Sequence, residues 1–195
     1  MFIQIKRAIS KNDVLKIISA DLTGKSEYVK FSRDIFVFSY LCGGINFCDV
    51  ASLTKENILN GRLFYVRQKT GKQINLCLTK NASAIIDKYY KGGKGFLFPI
   101  LDVTRHITAT QRENRLHKVL GQVDKSLKIV AQIAKVDVNL TTYVARHSYA
   151  TVLKRSGVPT SIICDSLGHS SERVTQIYLD SFENEQIDEA MKNLL

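Results

Sequence analysis

Residues 61–79, GRLFYVRQKTGKQINLCLT, break the rhythm of this chain. Before them, Tyr28, Phe31, Ile35, Phe38 and Cys42 recur at steps of three and four, the spacing that lines one face of a helix. Here the period falls to two. Leu63, Tyr65 and Arg67 alternate with Phe64 and Val66, and Ile74, Leu76 and Leu78 alternate after the interruption. Lys69-Thr70-Gly71-Lys72 lies between the two runs as a tight turn. Two alternating runs about a turn predict an antiparallel hairpin. The fold class that follows is mainly α with a small antiparallel β-hairpin or sheet.

The remaining segments read as helices and connections. Ser10, followed by Lys11, Asn12 and Asp13, predicts an N-cap and a short helix over 14–20. Residues 21–25 contain Gly24 and read as a turn, and the stripe that starts at Ser26 is stopped by Gly43-Gly44. NFCDVASLT, with Phe47, Val50, Ala51 and Leu53, suits one or two short helical turns. Asn81 and Ser83 offer caps for a helix through Ile85, Ile86 and Tyr89. KGGKG at 91–95 is a loop that lacks the spacing of a phosphate cradle. A short apolar segment at 96–101 is closed by Pro99. From about Thr110 a long helix follows, with Leu116, Val119, Leu120, Val123, Leu127 and Val130 on its inner face. No internal repeat or low-complexity tract interrupts the 195 residues, so one domain over 1–195 with a sizeable core is expected.

Charge narrows the partner. The 28 Lys and Arg against 18 Asp and Glu leave a formal +10, and such an excess favours a polyanion whose counterions are released on binding. A basic soluble protein, or one meeting an anionic membrane surface, would show the same excess. The longest uncharged run, 35–48, falls short of the ~20 residues that span a bilayer. The N-terminus carries charges too early for a signal peptide. Cys42, Cys48, Cys77 and Cys164 have no C-x-x-C spacing and read as reduced, mostly buried thiols. No membrane is implied, and the cytoplasm is the expected compartment.

Candidate chemistry gathers between Leu140 and Tyr178. Thr141 or Thr142 caps a helix whose buried side would be Ala145, Tyr149, Val152 and Leu153, which leaves Arg146 off the stripe and able to point into a cleft. An ordinary solvated or salt-bridged arginine fits that position as well. Gly157 and Pro159 mark the next boundary, and a helix over 160–167 ends at Gly168. A turn followed by such a helix also suits a helix-turn-helix DNA reader. His169 follows, and Ser170-Ser171 caps a last short helix ending near Tyr178. Alone, the histidine reads as surface and the tyrosine as core. Their order and spacing after Arg146 carry more weight than any one of them.

VARHSYAT at 144–151, DSLGHSS at 165–171 and TQIYL at 175–179 resemble the second arginine, the third-motif histidine and the nucleophile helix of the tyrosine recombinase or phage integrase family. Lys69 in RQKTGK is similar to that family's hairpin lysine. The resemblance runs from about Ser26 to the C-terminus and points to the mobile-element branch. It implies a DNA-cutting domain that needs neither metal nor nucleotide cofactor. Tyr178 would attack the scissile phosphate and form a 3′-phosphotyrosyl link. Arg146 would clamp phosphate oxygens, His169 would donate to another, and Lys69 would protonate the leaving 5′-hydroxyl. Tyr143, His147 and Arg67 are further candidates for contacting the phosphate.

Two departures from that pattern stand out. No arginine is present at Gly43 or its neighbour, where the family has its first; Arg33 and Arg67 are the candidate stand-ins. Tyr143 stands where the family has a histidine three residues before the second arginine. A catalytically impaired DNA-binding relative, or a type IB-like topoisomerase, is therefore the alternative. The family also places a helical core-binding domain ahead of this one, which this chain begins too late to contain, so weak DNA binding is expected of it. Double-stranded DNA is the implied partner. The family pattern is a tetramer on DNA, with a C-terminal helix built here on Ile187, Ala190, Met191 and Leu194 and exchanged between protomers. A free chain would be a monomer, cytoplasmic and nucleoid-associated.

Overall fold

Helix α2 (Glu27–Leu41) is apolar on more than one side, and it forms the centre of the molecule. Phe31, Ile35 and Phe38 are buried as the stripe predicts, but so are Phe36 and Val37 on another face. A helix with this distribution needs neighbours all round. They are α1 (Lys11–Ile18), α4 (Lys80–Tyr89), α5 (Ala109–Ile133) and α6 (Thr142–Arg155). Phe38 meets Phe98 edge-on with ring centres 4.9 Å apart, and Phe31 meets Tyr89 at 5.1 Å. The computed structural model describes residues 8–93, 95–180 and 191, with the backbone alone at 177, 178 and 180. The tail expected from Ile187 to Leu194 lies, apart from residue 191, outside the described residues.

Capping explains where the helices start. Ser10 accepts from the Asp13 amide and Ser26 from the Val29 amide, and each satisfies a donor that the first turn leaves open. Because Ser10 is the cap, α1 begins at Lys11 rather than at Val14. Thr79, not Asn81 or Ser83, caps α4 by accepting from the Ala82 amide. At α5, Thr108 and Gln111 form a reciprocal capping box, and the helix buries Val119, Val123, Leu127 and Val130 as its spacing predicts. Asp34, buried on α2, accepts from Arg33 at 2.6 Å and from Lys88 and Tyr89 at 2.7 Å each, which ties α2 to α4. Arg33 also donates to the Ile18 carbonyl. Its guanidinium is thus engaged at the seam of α1 and α2.

The hairpin is present and extends to a third strand. β1 (Ile58–Leu59), β2 (Arg62–Val66) and β3 (Gln73–Cys77) form an antiparallel sheet in that order. Leu63 faces Leu76 and Tyr65 faces Ile74 across the pair. Leu63, Tyr65 and Ile74 are buried, and Arg67 continues their inward register just beyond the strand. Asn60 and Gly61 both adopt positive φ and make the tight turn from β1 to β2.

Most of the core lies around α2. A smaller cluster of Ala150, Ile163, Leu167 and Leu179 joins α6 to α7 (Thr160–Leu167) and α8 (Glu172–Asp180). Between Ser52 and β1, a short 3-10 turn (Lys55–Asn57) follows α3 (Phe47–Ser52). Among the described residues, no helix is long and apolar enough to cross a membrane. Cys42 and Cys164 are buried free thiols, whereas Cys77 is exposed.

Candidate active site

Arg146 rises from α6 into the junction where three helix ends meet. It is 2% exposed, with Nη1 donating to the Gly44 carbonyl at 2.8 Å and Nη2 to the Leu167 carbonyl. This corrects the face assigned to α6. The helix buries Val144, Ala145, Arg146, His147, Ser148, Ala150 and Thr151, while Tyr149, Val152 and Leu153 are only partly covered. The reason is that α6 is packed from both sides, by α2 and by α7 with α8. Small side chains on it let the neighbours approach. Gly44 shows how close they come: a Cβ there would stand 2.8 Å from the Arg146 Cα, at a φ of +64 that already favours glycine.

The loop after α7 carries the histidine. Gly168 adopts the left-handed C-cap conformation, and His169 donates its backbone N–H to the Cys164 carbonyl. The imidazole is 5% exposed, with Nδ1 2.8 Å from the Thr175 hydroxyl. Thr175 is fully buried on α8, so this contact ties the histidine loop to the helix that bears Tyr178. Burial, then the charges of Arg146, Arg67, Lys69 and Lys72, hold the His169 imidazole down at about 4. At neutral pH the ring is therefore uncharged. In the tautomer in which the Thr175 hydroxyl donates into Nδ1, the ring proton sits on Nε2 and can be donated.

The hairpin supplies the remaining cations. Arg67 is buried, and its Nη1 donates to the Gly168 carbonyl at 2.7 Å. Thr70 donates to the same oxygen at 2.9 Å. Lys69 is exposed, and Lys72 forms a 3.7 Å ion pair with Asp165. Asp49 lies beneath this group, 3% exposed, and accepts the Gln68 amide on Oδ1 at 3.0 Å. Its Oδ2 finds no hydrogen-bond partner. Burial raises the Asp49 carboxyl, opposed by the Gln68 amide and by the charges of Arg67 and Arg146. The Tyr65 hydroxyl nearby is likewise buried and unpartnered.

Tyr143 stands half exposed on the first turn of α6, its ring edge-on to His147 with centres 4.5 Å apart. His147 is buried beneath it. Tyr143, Asn46 and Gln68 line one side of an open cleft of about 920 Å³, with Arg112, Glu113 and His117 of α5 on the other. Asn46 precedes α3 and makes no side-chain cap bond to it. Neither glycine ahead of it can carry an arginine. At Gly43 a Cβ would approach Leu76 Cδ1 to 2.7 Å, and both residues have positive φ.

Arg146, His169, Arg67 and Lys69 thus come together from α6, the α7 cap and the hairpin, with Tyr143 one turn earlier on α6 and His147 next to Arg146. The backbone of α8 brings Tyr178 one turn beyond Thr175, and its side chain lies outside the described residues. The site residues not foreseen from sequence are Asp49, Thr70 and Thr175. A carboxylate inside the apolar run FCDVASL was the one available signal for Asp49. The two threonines gave none, because their partners lie in other segments.

Residues 7–185 match the model of the phage integrase family. The tyrosine recombinase XerA of Pyrococcus horikoshii is 26% identical over 177 residues, covering 89% of this chain and 56% of the relative. The tyrosine recombinase XerS of Streptococcus pyogenes serotype M5 is 25% identical over 171 residues, covering 83% and 45%. The chain spans about half the length of these relatives. Among solved structures, XerA recombinase superposes with a TM-score of 0.63 at 16% identity, over 93% of this chain and 64% of that one. A lambda integrase dimer bound to a COC′ core site gives 0.61 at 16% identity, over 90% and 59%. XerH site-specific recombinase in a post-cleavage complex with palindromic difH substrate gives 0.64 at 16% identity, over 94% and 52%.

Proposed function

This chain belongs to the phage integrase family, and from that premise we propose that it is the catalytic domain of a site-specific DNA recombinase that works through Tyr178. The observation that carries the reading is the grouping of Arg146, Arg67 and Lys69 about a neutral His169 whose ring is tied to the nucleophile helix. A phosphodiester seated between the hairpin turn and the His169 loop would meet guanidinium groups already held by backbone carbonyls, so little reorganisation is left for the reacting state. The Tyr178 hydroxyl gives its proton to water as its oxygen attacks phosphorus and the bond to the 5′-oxygen breaks, with Lys69 supplying the proton to the leaving hydroxyl. A 3′-phosphotyrosyl ester remains. It preserves the bond energy, so religation to another strand needs no ATP.

In this reading Arg67 stands in for the absent first arginine. Arg33 is engaged at the α1–α2 seam, and Gly43 and Gly44 leave no room for a side chain. Tyr143 donates from the position where the family has a histidine, and His147 supports its ring. Double-stranded DNA is the substrate, which the net charge of +10 and the DNA-bound state of the lambda integrase and XerH structures support. The further expectations are a tetramer on DNA with C-terminal helices exchanged, a monomer when free, a mobile-element origin and a nucleoid location. An impaired DNA-binding relative is the competing reading, favoured by the closed glycine positions.

A pool of nicked duplexes with randomised cores, incubated with the protein, decides between them. The active enzyme leaves a covalent DNA adduct in denaturing gels that Tyr178→Phe abolishes. Salt-sensitive binding with no adduct in any fraction would establish the impaired relative instead.

A further inference from the structure

One backbone oxygen, the Gly168 carbonyl, takes two bonds from the hairpin turn at the end of α7. It accepts from both Arg67 Nη1, at 2.7 Å, and the Thr70 hydroxyl, at 2.9 Å, across 101 and 98 residues of sequence. Gly168 is shaped for this seat. A Cβ there would lie 2.9 Å from Ile74 Cδ1 and 3.1 Å from Arg67 Cδ, so the absence of a side chain lets the hairpin close onto the end of α7. Within the turn, the Gly71 amide donates to the Arg67 carbonyl at 2.8 Å and the Arg67 amide to the Lys72 carbonyl at 2.9 Å, which makes 67–72 a closed unit. Lys69 projects from that unit and is exposed.

We propose that Thr70 is a positioning residue: its bond to the Gly168 carbonyl latches the hairpin turn and thereby sets Lys69 over the leaving 5′-oxygen. The inference rests on Lys69 being the proton donor. When the bond from phosphorus to the 5′-oxygen breaks, the electron pair stays on that oxygen, and the Lys69 ammonium gives it a proton and becomes an amine. A general acid works only within hydrogen-bond reach of its target. A lysine at the tip of an untethered hairpin meets that condition for only a fraction of the time. Arg67 and Gln68 anchor the near end of the turn, Gln68 through Asp49 and Ser52, and Thr70 anchors the side beyond Lys69. Lys72 adds only an exposed pair to Asp165 at 3.7 Å, which holds weakly in water.

The test uses the full chain with Thr70→Val, Thr70→Ser and Lys69→Ala. Each is compared with the unsubstituted protein in single-turnover cleavage of a nicked duplex recovered from the randomised pool. A second substrate carries sulfur in place of the bridging 5′-oxygen at the scissile phosphate. A thiolate leaves without protonation, so it bypasses any defect in the acid. Thr70→Val should cleave the ordinary duplex about tenfold more slowly with unchanged DNA affinity, and Thr70→Ser should stay near the unsubstituted rate. On the sulfur duplex, Thr70→Val and Lys69→Ala should both recover.

Full-rate cleavage by Thr70→Val, or a deficit equally deep on sulfur, would overturn the latch while leaving the recombinase reading intact. Failure of Lys69→Ala to recover on sulfur would remove the acid on which the latch depends. A readout free of DNA separates the latch from the chemistry. Amide exchange across 68–72 should quicken in Thr70→Val and not in Thr70→Ser, and equal exchange would rule the latch out whatever the DNA assay shows.

Discussion

His169 shows what a single residue acquires from its surroundings. Its order in the chain, directly after Leu167-Gly168 and nine positions before Tyr178, was legible in the sequence. Its protonation was not, because the charges that suppress it come from two other segments, α6 and the hairpin. Burial leads, and Arg146, Arg67, Lys69 and Lys72 add to it, bringing the imidazole from 6.5 down to about 4. The consequence for stability has a definite sign. The unfolded chain takes up a proton here near 6.5 while the folded chain resists until about 4, so stability falls as pH drops through that window and is flat above it. The full difference is at most about 3 kcal/mol. Urea midpoints should decline between pH 7 and pH 5, and His169→Asn should reduce that decline; an identical decline in the variant would assign it to other groups. Arg146 teaches the same lesson. A helical wheel weighs apolar faces only, and it could not show that carbonyls 102 and 21 positions away would satisfy a buried guanidinium.

At the level of elements, the alternation of 61–79 announced the hairpin, and it also placed Arg67 on the inward register with Leu63 and Tyr65. β1 went unread because it has two residues, too few for any period to appear. The Asn60-Gly61 pair that turns it into β2 was the overlooked mark. The cap of α4, Thr79, lies two residues before Asn81 at the end of the strand run, where the alternating pattern hides it. The inward arginine is where the element acquires function. A lysine at 67 would keep the charge but lose the planar fork that bonds the Gly168 carbonyl while presenting further donors. Arg67→Lys should therefore bind duplex DNA about as well as the unsubstituted protein and form adduct about 10²-fold more slowly, as expected for a lost donor to the developing charge. Single-turnover adduct formation and a binding titration in parallel check this. Loss of binding to the same extent as loss of rate would make Arg67 a general phosphate contact instead.

Across the whole molecule the site sits on a seam between two bodies of packing. The large core around α2 carries the hairpin with Arg67 and Lys69, while the small cluster of Ala150, Ile163, Leu167 and Leu179 holds α7 and α8 with His169 and Tyr178. α6 belongs to both, and Arg146 bridges them by bonding the Gly44 carbonyl on one side and that of Leu167 on the other. A seam of this kind would let α8 open without unfolding the rest, since among the described residues Leu179 is the buried apolar side chain that α8 brings to the small cluster. Leu179 is 1% exposed. Leu179→Ala should cost about 2–4 kcal/mol of local stability. The loss falls on the small cluster: amide protection along α8 should collapse while that of α2 is kept, and covalent adduct should vanish while DNA binding persists. If instead α2 and α8 lost protection together, the two cores would unfold as one. Opening of α8 would then be tied to global stability rather than to the seam.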